Sequence, residues 1–409
     1  MNDPAKDDAA TVSPAPAQSP GPGAPYLIFL RGGPIFDDNS IRFHARALSP
    51  RFEGEFWYSG LEETDRWVGN FRLRRLVLKN FSAKGQLTEF RARIVADFLA
   101  RRSQLAGRKI VVITYDPLTL GMIGAYLAWR LKARLIIELS GAYGNAHNLA
   151  DMSKGWRRRL TQARNIDIGQ GVMLRADGVR CLFHGQDTAF VKVPPWVQSH
   201  LFFDGIDTSR FAGDPARDEK TVLFIGHPFY VKGTDVLLEA WRRIEGRYPD
   251  WRLLLISFEL DWHIDAARQR DLRVEVMKPM PNAEVAEYMK RCGIFVLASR
   301  SEGLPRVLIE AAAAGRARIS TRTCGIPRTI ENEVDGLLVE VGDSAGLAAA
   351  LVRLIEDPAL RQRFGEAAQT RNEQRFSADR YRHDLSTCLD AVLGNAAPGM
   401  EINAAHGGR

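Results

Sequence analysis

"GIFVLASRSEGLPRVLIEAAAAG", Gly293 to Gly315, reads as an apolar strand, a Gly-Leu-Pro turn and an alanine-rich helix. In an open parallel sheet a ligand sits beyond the carboxyl end of a strand, and the helix that follows offers it free backbone N–H groups and the positive end of a dipole. Pro305 suits the first turn of such a helix, where no N–H is missed, and Gly315 suits its end. Gly303 lets backbone approach a ligand closely. Glu302 then lies in the loop before the helix and Glu310 about a turn and a half inside it, so the two carboxylates flank a molecule whose middle is a diphosphate. Carboxylates suit polyols, since each accepts two hydroxyl hydrogen bonds. A plainer reading stands beside this one: Glu302 complements the helix dipole and Glu310 pairs with a nearby arginine.

The rhythm around this stretch is that of parallel sheets covered by helices. Downstream of Lys220, "KTVLFIGHPFYVKG" is strand then loop, "TDVLLEAWRRIEGRYP" an amphipathic helix, "DWRLLLISF" and "LRVEVMKP" the next strands, and "NAEVAEYMKRC" a helix. "ARISTRTCG" and "DGLLVEVGD" follow the opening stretch as further strands. Upstream, "YLIFLRGG" (Tyr26–Gly33), "FEGEFWYSG", "RLRRLVLK", "RKIVVITYDP", "ARLIIELSGAYG", "ADGVRCLFHG" and "AFVKVPPW" (Ala189–Trp196) are strand candidates, with helices over about Thr88–Arg102 and Leu118–Leu131. The polar, glycine-bearing "FFDGIDTSRFAGDPARDEK" (Phe202–Lys220) separates the two series as a linker does. The fold class expected is α/β, with two Rossmann-like domains over residues 25–205 and 206–376. Residues 1–24, rich in Pro, Ala, Gly and Ser, read as a disordered tail without the basic start and apolar core of a secretory signal, and 395–409 as a loose tail.

A chain of 409 residues accommodates two packed domains. With 45% hydrophobic and 26% charged residues it has a globular composition, and no apolar run reaches the ~18 residues of a bilayer-spanning helix. Cys181, Cys292, Cys324 and Cys388 lie far apart with no C-x-x-C pair, which fits a reducing cytoplasm. The net charge of +7 is bunched in Phe71–Lys79, Arg101–Lys109 and Lys154–Leu160, as an anionic partner requires. A solvated basic face is the plainer account of such runs; Trp156 inside the last tilts the reading toward anionic lipid headgroups.

Taken together, "SEGLPRVLIEAAAAGRARISTRTCGIPRTIENEVDGLLVEVGD", "FIGHPFYVKGTDVLLEA" and "FFDGIDTSRF" resemble, in order and spacing, the donor-site segments of retaining glycosyltransferases of the family-4 type, whose two facing Rossmann domains form the GT-B fold. The resemblance is dense from about Phe202 to Arg375 and faint before it. It implies a hexosyltransferase that moves sugar from a nucleoside-diphosphate donor, UDP- or GDP-linked, to a glycan or polyprenyl-diphosphate-linked acceptor. The setting implied is polysaccharide assembly on the cytoplasmic face of a membrane, with no nucleic acid as partner. The first domain would then bind acceptor, and the helix over 377–394 would pack back on it. On the donor side, Gly226 and His227 form the first loop and Lys232 neutralises the diphosphate as it leaves, so no metal or other cofactor is expected. Glu302 would contact the transferred sugar, Gly303, Leu304 and Pro305 would bring backbone amides to sugar and phosphate, and Glu310 would hold the ribose hydroxyls.

Two departures from the family pattern stand out. His227 replaces an arginine and cannot grip phosphate bidentately, and Ser140 stands where a histidine is common and is no strong base. They keep alive a non-catalytic nucleotide-sugar-binding protein; a sugar-nucleotide epimerase on the same fold would lack the paired glutamates and the Lys-Gly. On the acceptor side, Gly32 and Gly33 read as a turn facing the cleft, with Asp116, Ser140 and Gly141 at its edge; a tight turn without ligand accounts for the glycines equally, and an Asp-Pro turn for Asp116. Glu138 finds no place in this scheme.

Overall fold

The computed structural model describes residues 23–34, 38–78, 83–141, 156–186, 191–216, 218–257 and 273–395. The first sheet is built from β1 (Tyr26–Pro34), β2 (Glu53–Ser59), β3 (Thr64–Val68), β4 (Phe71–Leu76), β5 (Ile110–Thr114), β6 (Arg134–Glu138), β7 (Gly178–Cys181) and β8 (Gln198–Leu201). Its order is β3-β4-β2-β1-β5-β6-β7-β8, parallel except for the β3–β4 hairpin. The second contains β9 (Glu219–Ile225), β10 (Arg252–Ile256), β11 (Val274–Met277), β12 (Cys292–Leu297), β13 (Ala317–Thr321) and β14 (Leu337–Val339), all parallel in the order β11-β10-β9-β12-β13-β14. Strands such as β5 and β12 are buried along their whole length because helices cover both faces, and their sequences are correspondingly apolar throughout.

Strand order reverses between β1 and β5 in the first sheet and between β9 and β12 in the second. At such a switch point neighbouring loops leave in opposite directions and open a crevice at the strands' carboxyl ends. Four chain segments therefore converge: Arg31–Gly32 and Tyr115–Asp116 from the first domain, Gly226–Gly233 and Ser299–Pro305 from the second. The two domains touch there. Leu182, Phe203 and Ile206 pack with Ile309 and Phe376, and Arg328 donates to the Leu182 carbonyl at 2.7 Å with its guanidinium 4.1 Å from the Phe203 ring.

The last helix, Ala378–Val392, follows the long helix Pro358–Phe376 after a break at Ser377, whose side chain caps it. It inserts Tyr381, Leu385, Leu389 and Val392 among Leu27, Phe29, Phe56 and Phe71, so the carboxyl end of the described chain completes the first domain's core.

Three local expectations need correction. "AFVKVPPW" forms no strand over its described part, Val191–Trp196; the strand begins at Gln198, because Pro194 and Pro195 have no N–H for a ladder. Gly32 and Gly33 lie within β1, which runs on to Pro34 through a register shift after Leu30, rather than in a turn beyond it. The β3 strand, with its alternating exposure, was not foreseen and forms a half-solvated edge hairpin. The calls on residues 1–22 and 396–409, on Phe258 and on Lys154 fall outside the described residues. Among the described residues no helix is long and apolar enough to cross a membrane.

Candidate active site

On the second domain's side, the loop after β9 carries Gly226 and Lys232 and the loop after β12 carries Ser299 and Glu302. Lys232 Nζ lies 2.6 Å from Glu302 Oε1, and Ser299 Oγ donates to the same oxygen at 2.7 Å. The glutamate is only 8% exposed and the lysine 21%, so this ion pair is shielded from solvent and holds both side chains in fixed positions. Gly226 sits against the lysine's stem: a Cβ there would come within 3.2 Å of Lys232 Cγ. Gly233 has φ of +67° and backs onto the Ala298 carbonyl, which leaves no room for a side chain. It caps the amino end of the helix Thr234–Arg242. Arg300 clamps this loop from the other side, donating to both Asp235 oxygens at 2.7 Å and to the Tyr230 carbonyl at 2.6 Å.

The helix of the opening motif runs Arg306–Ala313, with Pro305 at its N-cap and Gly315, at φ +68°, just past its C-cap. Glu310 is half-buried one turn inside it. Burial raises its pKa, against the pull of Arg306 and Arg210. Gly303 meets the first domain directly: a Cβ on it would collide with the Ser140 carbonyl oxygen and lie 3.1 Å from Gly141 Cα. Leu304 turns its side chain toward the apolar cluster that joins the domains.

The first domain's loops meet this face across a cavity of about 280 Å³ lined by Arg31, Gly32, Tyr115, Ser140, Leu304 and Arg306, among others. Asp116 spends its carboxylate on its own chain, accepting the backbone N–H groups of Leu118 at 2.8 Å and Leu120 at 3.2 Å at the start of the helix Thr119–Leu131. Gln186 donates to the Gly141 carbonyl at 2.9 Å and fixes the loop after β6.

Of four charged residues at or beside the cavity, the sequence reading left Glu138 without a place and gave Arg31, Arg180 and Asp204 no role. Arg31 Nη1 donates to Glu138 Oε2 at 2.9 Å; Arg180 Nε lies 3.3 Å from Glu138 Oε1 and its Nη1 2.9 Å from Asp204 Oδ1. Burial raises the pKa of Glu138 against Arg180 and Arg31, whereas for Asp204 the two arginines overcome burial and hold the carboxyl at about 2. The available signal was a charge at or near the carboxyl end of an apolar run, in "YLIFLR", "LIIE" and "GVRC". Such a residue needs a partner within the fold, and here Glu138 takes Arg180 from the adjacent β7 and Arg31 from β1, two strands away.

Residues 205–371 match the family described as glycosyl transferases, group 1. In sequence the chain is 31% identical to the glycogen synthase of Mycobacterium tuberculosis over 175 residues, 41% of this chain and 42% of that one. The chain spans about half the length of the relatives it matches in sequence. In structure it is similar to sucrose-phosphate synthase from Thermosynechococcus elongatus, with a TM-score of 0.71 at 18% identity over 91% of this chain and 100% of that one. Anabaena HepE in complex with UDP-glucose gives a TM-score of 0.65 at 16% identity over 90% of this chain and 99% of that one.

Proposed function

We propose, for a chain with the GT-B fold whose residues 205–371 match the group 1 glycosyltransferases, a metal-independent, retaining hexosyltransferase that draws sugar from a UDP- or GDP-linked donor. The observation that carries this reading is the Lys232–Glu302 pair, 2.6 Å apart at the switch point between β9 and β12. Each member suits one part of a nucleotide sugar. The ammonium neutralises the departing diphosphate, and the carboxylate accepts sugar hydroxyl hydrogen bonds. Donor binding exchanges the ion pair for these two contacts, so charges already desolvated in the free protein need little reorganisation. The leaving phosphate takes the acceptor's proton as the new bond forms on the same face of the sugar, which needs no strong base at Ser140.

Glu310, inside the helix, is assigned to the ribose hydroxyls. Each hydrogen bond to a charged acceptor is worth about 1.5–3 kcal/mol, so Glu310→Ala is expected to weaken UDP or GDP binding by about 10- to 100-fold. Calorimetric titration reads this; equal affinity in wild type and variant would sink the assignment. Glu302→Ala should lose turnover more than nucleotide affinity.

The acceptor is proposed to be a glycan or polyprenyl-diphosphate-linked sugar in polysaccharide biosynthesis, met at an anionic membrane surface. Trp129 and Leu160, 69% and 63% exposed on the helices Thr119–Leu131 and Trp156–Met173, support that reading, since the latter helix also carries the basic run. Liposome flotation is expected to recover the protein with vesicles containing anionic lipid and to release it at about 0.5 M salt. Recovery with neutral vesicles alone would overturn the electrostatic part.

A further inference from the structure

Counted over both domains, the cleft holds one more guanidinium than it has carboxylates to face them. Arg31 and Arg180, 6% and 0% exposed, line the cavity of about 280 Å³, and Arg306 enters it from the second domain. Against these three guanidiniums stand Asp204 and Glu138, and burial opposes ionisation of the latter. His44, also lining the cavity, adds no charge near neutral pH, because burial lowers its pKa to about 4 while its Nε2 sits 2.7 Å from the Gly205 carbonyl.

The hydrogen bonding is as unbalanced as the charge. Arg31 Nη2 and Arg180 Nη2 are buried without a hydrogen-bond partner among the described residues, whereas Nε and Nη1 of Arg180 face Glu138 Oε1 at 3.3 Å and Asp204 Oδ1 at 2.9 Å. A buried donor left without an acceptor costs about 1–3 kcal/mol, more when it is charged. Tyr115 stacks its ring 4.5 Å from the Arg31 guanidinium and holds it in place. The pocket thus combines apolar residues such as Ile41 and Leu182 with unpartnered guanidinium N–H groups and one positive charge in excess, and it opens a few residues from the point where Gly303 meets Ser140.

We propose that this cavity binds a compact oxyanion, a phosphate or carboxylate, carried by the acceptor, with Arg31 and Arg180 gripping it from the first domain and Arg306 closing over it from the second. Planar guanidiniums match either group bidentately. Calling the ligand part of the acceptor rests on the transferase reading; the oxyanion site does not.

The test is calorimetric titration of the full chain with inorganic phosphate and with acetate at constant ionic strength, using chloride as control, both free and saturated with UDP. One of the two oxyanions is expected to bind the UDP-saturated protein. Arg31→Gln and Arg306→Gln should each weaken that binding about tenfold or more, and Lys232→Ala should leave it unchanged. Arg306 is exposed, so its variant keeps the proposal testable where Arg31→Gln fails to fold. Preference for phosphate would assign a phosphorylated acceptor and preference for acetate an acidic sugar. Absence of binding by both, or binding untouched in the folded variants, would overturn the site. Failure of UDP and GDP alike to bind while phosphate binds would instead remove the transferase reading and leave the oxyanion site standing.

Discussion

Lys232→Ala is expected to lower kcat for sugar transfer by about 100- to 1,000-fold, the cost of removing one preorganised donor from an oxygen that gains charge in the transition state. In the free protein the ammonium is already in place, 2.6 Å from Glu302, on a loop fixed by the left-handed Gly233 and the Arg300 clamp. KM for the donor should rise far less, since helix amides and Glu310 still hold the nucleotide. The substitution also leaves Glu302, 8% exposed, with Ser299 as its remaining donor at that oxygen, a loss of about 1–3 kcal/mol that a melting curve would register. Lys232→Arg should rescue poorly, because the planar guanidinium lacks the compactness of an ammonium. Initial-rate kinetics across a range of donor concentrations separate the two constants. A kcat within tenfold of wild type would remove Lys232 from the reaction.

The second domain was far more legible in the sequence than the first, for a physical reason. Its proposed donor-site residues sit in two loops whose spacing from the flanking strand and helix is set by backbone geometry: Gly233 must be glycine at its positive φ, Pro305 must precede the first helical N–H, and Gly315 must end the helix. Such constraints leave marks in a short window. What that window does not show is that Lys232 and Glu302, seventy residues apart, form one pair, or that Ser299 is its third member. In the first domain the buried charge cluster is made of Arg31, Glu138, Arg180 and Asp204, one charge each from β1, β6, β7 and the stretch after β8. Their meaning depends on strand order, and no local pattern states that β1 lies two places from β6. Gly32, Ser140 and Leu304 do line the cavity between the domains, whereas Asp116 is bound to its own helix.

Gly303→Ala is expected to cost about 100-fold in kcat at nearly unchanged UDP affinity, a result that follows from how the two domains meet. The added Cβ would collide with the Ser140 carbonyl oxygen and crowd Gly141 Cα, both backbone atoms that no rotamer change can move. Retreat is closed as well, since the Gly303 carbonyl oxygen already lies against Gly325, where a Cβ would have no space. The strain is relieved only by parting the domains, and a displacement of about 1 Å between reacting groups costs on the order of 100-fold. Nucleotide affinity should survive, because Lys232, Ser299 and Glu310 all belong to the second domain and move together. Calorimetry with UDP and transfer kinetics on the same preparation distinguish this outcome from a damaged donor site, in which both would fall. Unchanged kcat would mean that the close approach of Gly303 to Ser140 forms no part of the reacting geometry, and the distance that matters between donor and acceptor would then be set elsewhere in the cleft.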